Sequence, residues 1–569
     1  MKKISGNKLL VKALKEEGVE VVFGYPGAST LEISDELYKE ESIRVVLPRH
    51  EQALVHEADA YARSTGKTGV CLVTSGPGAT NLVTGIATAN YDSVPLVCFT
   101  GQVASNLIGS DAFQEVDIVG ITRSICKYGV TVRRREDLGR LIKEAFYIAS
   151  TGKPGAVVVD LPKDIMAELG DTAYPETVDI RGYKPNTSVH IGQIKRAIKI
   201  MEKAKRPLFL VGGGVSRSDA GEAFTKLVEQ TGIPVVTTIM GKGTIPSTHP
   251  LYVGNLGMHG SYASNMAVSD CDMLFSIGTR FNDRITGRLK EFAPRAQIIH
   301  IDIDTGAISR NIQVDVPIVA DAPEAIAKLL EYAQPSECEK WVAQIQAWKK
   351  EFPIQMKKKD SLNPQEIIES INQTFEEAMI VTDVGQHQMW TTQFIELNDK
   401  KKLFTSGGLG TMGFGFPGAI GVKIGNPDKT VICISGDGGV QMNIQEFATA
   451  MIEDAPVILC VFNNSVLGMV RQWQKLFYGK RYSMTKLAKD SETRADMAPA
   501  YIPDFVKLAE SYGARGIRIT KSEEVVPALL EARSEKKVPI LLEFVISPED
   551  LVIPMIQPGG TLEDMITEN

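Results

Sequence analysis

The stretch ISGDGGVQMNIQEFATAMIEDAPVILCVFNNSVLGMV, residues 434–470, decides the fold class. It contains the end of one continuously apolar run, 430–438, and the whole of a second, 456–464, with a helical pattern at about 442–453 between them. Apolar runs without alternation are typical of strands covered on both faces, and a strand, a helix and a strand in this order form a right-handed crossover. We therefore predict a parallel α/β sheet here.

The same alternation of short apolar runs and helical patterns recurs upstream in two further blocks. This repetition predicts an α/β fold of three doubly wound parallel-sheet domains, in which ligands bind at the carboxyl ends of the strands. The other candidate strands are 44–47, 69–75, 94–101 and 155–162 in the first block, 207–213, 233–238, 273–278 and 298–303 in the second, and 379–385 and 538–546 in the third.

Two polar stretches separate the blocks. Residues 167–190 are polar and contain prolines, and residues 335–360 form a charged helical segment. The predicted domains are therefore 1–170, 188–335 and 365–550, with a tail at 551–569.

Composition and charge narrow the class of protein. Hydrophobic residues make up 43% of the chain and charged residues 23%, as in an ordinary globular protein. The 62 basic and 69 acidic residues give a net charge of -7, and neither sign gathers into a stripe. We expect no nucleic-acid partner, because phosphate backbones attract clustered positive charge.

The cysteines and the apolar content favour a cytoplasmic protein. The seven cysteines form no CxxC pair and mostly stand in apolar runs, which is typical of a reducing compartment. Lys12 and Lys15 interrupt the first apolar stretch, so we expect no secretory signal. The uncharged stretch 403–422 holds seven glycines and a proline, so we expect a buried loop and helix start there and no membrane span.

Oxygen ligands follow both strands of the opening stretch. Asp437 follows the first strand and Asn464 ends the second, so the crossover places both at the same sheet edge. With a main-chain carbonyl such as that of Val466, they form a hard-cation site, and Mg²⁺ in such a site takes phosphate oxygens from its ligand. GDG or NN alone is more often a plain turn or strand end, but the pair indicates a diphosphate ligand.

This pairing of GDG with NN resembles the signature of thiamine-diphosphate (ThDP) enzymes. The resemblance implies that Asp437, Asn464 and the Val466 carbonyl bind Mg²⁺. Other cofactor contacts that it implies are Gln386, His387, Gly436, Gly438, Gly439 and Met469.

ThDP chemistry also needs a carboxyl group beside the aminopyrimidine, where it activates the ring by protonating N1′. Glu51, in VVLPRHEQALVHEADAYAR (45–63), begins a predicted helix, and by position alone it is more often a glutamate that complements the helix dipole. RHEQ followed by TSGPGATN (74–81) resembles the pyrimidine-binding domain of ThDP enzymes. The resemblance implies that Glu51 is the activating acid and that Gly27 and Pro77 contact the cofactor.

The glycine-rich stretch SGGLGTMGFGFPGAIG, 406–421, contains one bulky flexible side chain, Met412. An isolated methionine is usually core filler. The resemblance instead implies that Met412 lies under the cofactor and holds its two rings in a V, while the Gly410 carbonyl accepts from the 4′-amino group.

Longer motifs narrow the resemblance. DAFQEVDIVGITRSICKY, GTRFNDRITGR, TDVGQHQMW and LGMVRQWQKLFYGKRYS are similar to the large, catalytic subunit of acetohydroxyacid synthase (acetolactate synthase), and the similarity runs from about residue 5 to the last ten. It implies decarboxylation of pyruvate on ThDP and condensation of the hydroxyethyl carbanion with a second pyruvate or with 2-oxobutyrate. The products, 2-acetolactate and 2-aceto-2-hydroxybutyrate, begin valine, leucine and isoleucine synthesis.

The middle block resembles the FAD-binding domain of that enzyme. VGGGVSRSDA (211–220) has Arg217 where the Rossmann fingerprint needs a third glycine, so we expect FAD in a different, extended mode and in a structural role. Arg280 and Arg284 would otherwise be ordinary ion-pair residues. The implied FAD contacts are Lys153, Met240, Met258, His259, Gly278, Arg280, Asp283, Arg284, Asp302 and Asp321.

The resemblance also implies a substrate pocket. Arg280 would hold the acceptor's carboxylate by a bidentate pair, and Trp473 would favour 2-oxobutyrate, whose extra methylene is worth ~1–3 kcal/mol. Lys127 would join the pocket or else be a solvated turn residue. The other implied lining residues are Phe113, Gln114 and Val384.

Three departures from the family pattern leave the catalytic groups in place. They are YPGA at 25–28, GKPGA at 152–156, which weakens a flavin contact because lysine lacks the planar fork of arginine, and RFNDR at 280–284.

Alternatives stay open. A flavin-free catabolic acetolactate synthase or a pyruvate oxidase has the same ThDP signature. A non-catalytic, nucleotide-binding scaffold is a second alternative, but such a protein would not need Glu51, Asp437 and Asn464, and all three are present. The resemblance implies a homodimer or homotetramer with sites shared between two chains, and a small regulatory subunit as a further partner.

Overall fold

The computed structural model describes residues 3–186, 188–359, 361–490 and 499–567. Within them, three six-stranded sheets contain only parallel strand pairs, which confirms the predicted α/β class. No helix in these ranges is long and apolar enough to cross a membrane.

The first sheet lies between two layers of helices. Every residue of the strands Gly69–Val73 and Leu96–Gln102 is buried, which explains why their sequences are apolar without alternation. From edge to edge the strands are Arg44–Val46, Val21–Tyr25, Gly69–Val73, Leu96–Gln102, Ala156–Pro162 and Tyr128–Thr131. The helices are Gly6–Glu16, Leu31–Tyr38, Glu51–Thr65, Pro77–Thr80, Val83–Tyr91, Ile118–Thr122, Leu138–Ser150 and Lys163–Ala167.

The middle sheet repeats this arrangement around its own core. Phe209, Phe224 and Phe275 are fully buried and pack their rings together beneath it. The strands, in spatial order, are Tyr252–Asn255, Val235–Thr237, Pro207–Val211, Met273–Ile277, Gln297–Asp302 and Val316–Val319. The helices are Ile191–Met201, Gly213–Arg217, Gly221–Thr231, Tyr262–Asp270, Asp283–Thr286, Ala322–Tyr332 and Glu339–Glu351.

The third sheet contains the opening stretch of the sequence analysis. Its two central strands, Val431–Gly436 and Ile458–Asn463, are buried throughout, as predicted. The strand order is Lys401–Thr405, Ala378–Thr382, Val431–Gly436, Ile458–Asn463, Ile540–Val545 and Arg515–Ile519. The helices are Pro364–Thr374, Gln386–Phe394, Gly415–Gly425, Asp437–Val440, Phe447–Ile452, Gly468–Phe477, Phe505–Ser511 and Ser522–Ser534.

One helix differs from its prediction. In place of a helix over about 442–453, a 3₁₀ turn, Ile444–Glu446, precedes a shorter α-helix, Phe447–Ile452. The Asn443 side chain donates to the Gly413 carbonyl at 2.8 Å and so ties the start of the segment to the glycine-rich loop.

The first and third sheets share one hydrophobic core. The helix Glu51–Thr65 of the first packs against the helix Gly415–Gly425 of the third, and buried residues from both belong to the same cluster. The helices approach so closely that a Cβ added to Gly421 would lie 2.0 Å from the Glu57 carbonyl oxygen. A glycine is therefore required there, and the contact fixes the first sheet relative to the third.

We predict that Gly421→Ala destabilises the protein. Alanine gains about 1 kcal/mol of helix propensity, but the clash with rigid backbone costs about 1–3 kcal/mol or more and outweighs it. Chemical denaturation of both proteins measures the difference. Gly24→Ala is the control, because a Cβ there meets no atom closer than 3.5 Å. Equal unfolding midpoints for Gly421→Ala and the parent would contradict the packing argument.

Candidate active site

A cavity of about 850 Å³ lies at the carboxyl ends of strands of the middle and third sheets, and Tyr91 and Lys153 of the first block also line it. Its wall combines residues from distant parts of the chain. These residues were predicted from the sequence to contact the metal, ThDP, FAD or the substrate. The predicted site residues that line it are Lys153, Met258, His259, Arg280, Asp283, Arg284, Val384, Gln386, His387, Gly410, Met412, Gly436, Asp437, Gly438, Gly439, Asn464, Val466, Met469 and Trp473.

The three predicted metal ligands come together in this cavity. Asp437 directly follows the strand Val431–Gly436, and Asn464 follows Ile458–Asn463, so the parallel strands place both at one sheet edge. The Asp437 Oδ2 is buried and has no hydrogen-bond partner among the described residues. Burial raises the pKa of Asp437 to about 7, against the opposing effect of the Ser465 backbone. A buried carboxylate oxygen without a partner is costly, so this set fits a bound cation.

Hydrogen bonds of the Asn463 side chain hold the turn after Asn464. The Asn463 side chain donates to the buried Glu543 carboxylate at 2.7 Å, and its own oxygen accepts from the Ser465 backbone at 3.1 Å. The Asn464 side chain donates to Gln386 at 3.3 Å, and its oxygen accepts from the Val466 backbone N–H, also at 3.3 Å. These contacts orient the amide and the Val466 carbonyl.

His387 presents an unused nitrogen to the cavity. Its Nε2 is buried without a partner among the described residues, and burial lowers the pKa of the imidazole to about 3. The ring lies so near Gly436 that an added Cβ there would be 2.9 Å from Nδ1. The neutral imidazole therefore fits a role as hydrogen-bonding partner of a ligand.

Glycines form a cradle beside Met412. A Cβ added to Gly438 would lie 2.8 Å from the Leu467 side chain and 3.6 Å from Met412 Cε, so only glycine keeps this part of the cavity open. Gly410, with φ of 73°, turns the loop two residues before Met412. This arrangement agrees with a bulky side chain supporting a ligand from one side.

Asp383 holds the loop that carries Met412, and sequence reasoning missed it. Its buried carboxylate accepts from the backbone of Gly413 at 3.0 and 3.1 Å and of Gly415 at 2.9 Å, at the start of the helix Gly415–Gly425. A carboxylate is favoured at a helix N-terminus. The only signal in the sequence was its place at the end of a strand, just before GQHQMW.

The middle sheet supplies a positively charged wall. The guanidinium of Arg280 lies beside Gly408 of the glycine-rich loop, where an added Cβ would be 3.1 Å from Nη2. Lys153 pairs with Asp304 at 3.2 Å on the same wall. The Asn282 Oδ1 is buried without a partner among the described residues, and Asn282 also lines the cavity. This wall can bind an anionic, hydrogen-bonding ligand.

Trp473 projects from the helix Gly468–Phe477 into the cavity. The Arg284 guanidinium carbon lies 5.9 Å from the centre of the indole ring, and the Phe477 ring packs edge-on at 6.2 Å. The indole can therefore act as an apolar wall beside the cationic one.

Glu51 lies outside this cavity. It begins the helix Glu51–Thr65, and its carboxylate accepts from Asn81 Nδ2 at 2.9 Å. Gly27, Pro77 and Gln114 surround the same sheet edge, since Gly27 packs against Thr74 and Gly76, next to Pro77, packs against Gln114. We call these five residues, Gly27, Glu51, Pro77, Asn81 and Gln114, the Glu51 cluster.

Other predicted residues also lie outside the cavity. Phe113 is 88% exposed beside the Glu51 cluster. Lys127 uses its ammonium to donate to the carbonyls of Ile148 and Thr151, the latter at 2.7 Å, and to the Tyr183 hydroxyl. Burial lowers the pKa of Lys127 to about 8. A single chain therefore does not bring these side chains to the cavity.

Four predicted FAD contacts of the middle block lie behind the cavity wall. Gly278, with φ of 63°, packs against Gly214, and Met240 packs against Gly407, which does line the cavity. Burial raises the pKa of Asp302 to about 6. Asp321 instead caps a helix, where it accepts from the Ala322 backbone at 2.8 Å.

Sequence reasoning also missed Glu57. This carboxyl is fully buried, and neither oxygen has a partner among the described residues. Burial and the nearby Glu446 and Glu453 raise the pKa of Glu57 well above its usual range, so the fold favours the protonated carboxyl. No sequence signal distinguishes it from a surface glutamate.

Three sequence families match the chain. They are the thiamine pyrophosphate enzyme N-terminal TPP binding domain over residues 4–121, the thiamine pyrophosphate enzyme central domain over 194–329 and the thiamine pyrophosphate enzyme C-terminal TPP binding domain over 383–544.

Curated relatives match over nearly the full length. The chain is 45% identical to the acetolactate synthase large subunit of Corynebacterium glutamicum, over 99% of this chain and 90% of that protein. It is 45% identical to a probable acetolactate synthase large subunit of Methanocaldococcus jannaschii, over 99% and 95%. It is 44% identical to the acetolactate synthase large subunit of Haemophilus influenzae, over 100% and 98%.

We predict that Glu57→Gln stabilises the protein increasingly as pH rises. Above the ordinary pKa of 4.5 the unfolded chain releases the Glu57 proton that the fold retains, so the parent loses stability with pH, by up to about 1.4 kcal/mol per pH unit, until the folded pKa is reached. Glutamine does not titrate. Unfolding of both proteins between pH 5 and pH 8 measures the difference, with exposed Glu337→Gln as control. A difference independent of pH would contradict the assignment.

Proposed function

The chain belongs to the acetolactate synthase large-subunit family of thiamine pyrophosphate enzymes, and on that premise we propose that it forms 2-acetolactate from two molecules of pyruvate. In this reaction the bond between C1 and C2 of one pyruvate breaks and CO₂ leaves. A new carbon–carbon bond then forms at C2 of the second molecule, whose carbonyl oxygen takes up a proton. The observation that carries the proposal is the cavity that unites Asp437, Asn464, Met412 and Arg280.

ThDP, when bound, supplies the nucleophilic carbon and the electron sink that this decarboxylation needs. The residues present fit its diphosphate and Mg²⁺. Within the part of the chain that the structure describes, a buried oxygen of Asp437 and a buried nitrogen of His387 have no partner, and Gly438 leaves space that any side chain would fill. We assign Asp437, Asn464 and the Val466 carbonyl to the cation, and Gln386, His387, Gly436, Gly439 and Met469 to the cofactor's surroundings.

Glu51 would hold and donate the proton at N1′ of the aminopyrimidine, and Asn81 orients it. Because Glu51 lies outside its own chain's cavity, a second copy has to bring its Glu51 cluster to that cavity. The same pairing would place the exposed Phe113 and Gln114 in the substrate pocket. We therefore propose a homodimer as the smallest active unit.

Arg280 and Trp473 would determine which 2-oxo acid binds as the acceptor. The planar guanidinium of Arg280 can bind a 2-oxo acid's carboxylate through two parallel hydrogen bonds. The Trp473 indole gives the acceptor's alkyl group an apolar wall, which rewards 2-oxobutyrate over pyruvate by ~1–3 kcal/mol for one methylene. Val384 also lines this space.

FAD fits the wall that the middle sheet supplies. Met258, His259, Arg280, Asp283 and Arg284 line the cavity there, and Asn282 offers an unsatisfied buried oxygen. Since acetolactate formation transfers no electrons to a flavin, we assign FAD a structural role. A regulatory small subunit is a further proposed partner, because the relatives are named large subunits.

Turnover of pyruvate tests the proposal. With ThDP, Mg²⁺ and FAD present, we expect acetolactate and CO₂ in equal amounts, and addition of 2-oxobutyrate should divert product to 2-aceto-2-hydroxybutyrate. Omission of ThDP or Mg²⁺ should abolish the reaction. A colourless active protein would favour the flavin-free catabolic enzyme, and flavin bleaching by pyruvate would favour a pyruvate oxidase. No turnover under any of these conditions would contradict the assignment.

We predict that Glu51→Gln lowers kcat by about 10²–10⁴-fold, because glutamine keeps the shape and the contact to Asn81 but cannot exchange a proton. Steady-state kinetics measure the loss, and calorimetric binding of ThDP should stay unchanged. Retained turnover would refute the role of Glu51 while leaving the metal assignment intact.

A further inference from the structure

A buried glutamate of the third sheet contacts the turn that leads to Glu51. Glu446 ends the 3₁₀ turn Ile444–Glu446 and is fully buried. Its two carboxylate oxygens accept the Arg49 backbone N–H at 3.2 and 3.0 Å. The Thr449 hydroxyl donates to Oε2 at 2.5 Å and so fixes the carboxylate. The contact joins residues 397 positions apart in the chain.

Arg49 stands two residues before Glu51, at the point where the chain enters the helix Glu51–Thr65. His50 is the N-cap of that helix, and its Nδ1 accepts from the Gln52 backbone at 3.1 Å. The cap and the Glu446 contact together hold the first turn. Since Glu51 is the first helical residue, the direction of its side chain depends on where this turn is anchored.

The anchor belongs to the crossover that carries the metal set. Asp437 stands nine residues before Glu446, and Asn464 follows at the end of the next strand. Asp437 faces the cavity of its own chain, whereas Glu51 lies outside it. The same crossover therefore carries the proposed metal ligand Asp437 and, nine residues later, Glu446, which contacts the turn before the proposed acid Glu51.

We propose that Glu446 is a positioning residue that fixes the Glu51 carboxylate by holding the Arg49 backbone. The inference rests on the proposed function, in which Glu51 is the acid. In a pair of chains that share their sites, this contact joins the metal ligands of one site to the acid of the other.

Glu446→Gln tests the inference, because the amide keeps only one acceptor oxygen and presents an N–H group in place of the other, whereas both carboxylate oxygens accept hydrogen bonds. Glu453→Gln is the matched control. Glu453 accepts from Arg44 Nε and Nη2 at 3.1 and 2.7 Å across the same boundary, but it does not hold the turn before Glu51. Glu446→Asp, which keeps the charge but shortens the reach, is the second variant if Glu446→Gln folds poorly.

The first readout needs no catalysis. In the purified full-length protein, amide hydrogen exchange of residues 49–54 should accelerate about tenfold in Glu446→Gln, as expected for one lost hydrogen bond to a charged group. It should not change in Glu453→Gln. Unchanged exchange in both Glu446 variants would overturn the inference, whatever the activity of the protein.

The second readout is a double-mutant cycle. We expect Glu446→Gln to lower kcat by about 10–100-fold, with KM for pyruvate and ThDP affinity unchanged, because a displaced catalytic group costs rate and not binding. In the Glu51→Gln background the same change should cost nothing further, since both act through one group. Fully additive losses would overturn the inference. Retained turnover in Glu51→Gln would instead refute the role of Glu51 as the acid. The hydrogen-exchange measurement would then still test whether Glu446 holds the turn before Glu51.

Discussion

The structure depends on the close approach of two helices, Glu51–Thr65 and Gly415–Gly425. Because Gly421 has no side chain, the second helix lies directly against the backbone of Glu57. The helix Glu51–Thr65 begins with the proposed acid, and the helix Gly415–Gly425 follows the loop that contains Met412. A protein interior packs too densely to absorb a change at this contact. The contact therefore sets where both functional segments stand.

Polar contacts reinforce this packing at the same boundary. Arg63, on the helix Glu51–Thr65, pairs with Asp59 and, at 3.0 Å, with Asp92, and it donates to the Thr405 carbonyl at 2.9 Å. Asp92 in turn accepts from the backbone of Gly408 at 2.8 Å. Since each of these buried charges has a partner, the network holds the glycine-rich loop in one position. Asp437 differs, because its buried oxygen is left for a ligand.

The internal strands of the sheets were more predictable from the sequence than the edge strands. Every strand predicted from an apolar run is present, because all of these runs except 44–47 lie inside sheets where both faces are covered. The run 44–47 forms the edge strand Arg44–Val46. In the three six-stranded sheets, six strands were not predicted, and five of them lie at sheet edges, where half-exposed sequences such as Arg515–Ile519 lose the apolar signal. The sixth, Val21–Tyr25, is internal but interrupted by Gly24.

The meeting of Asp437 and Asn464 at one sheet edge was predictable, because each residue stands where a motif and a strand end coincide. The sequence alone determined the α/β class, the pairing of an acid with an amide across one crossover, and the family to which the chain is similar. Only the tertiary structure decided that Glu51 lies outside its own chain's cavity, that Asp383 and Glu446 hold the loop of Met412 and the turn before Glu51, and that Glu57 is buried without a partner among the described residues. The physical reason is that strand periodicity and turn chemistry are local, whereas the partner of a buried carboxyl stands hundreds of residues away and is set by packing.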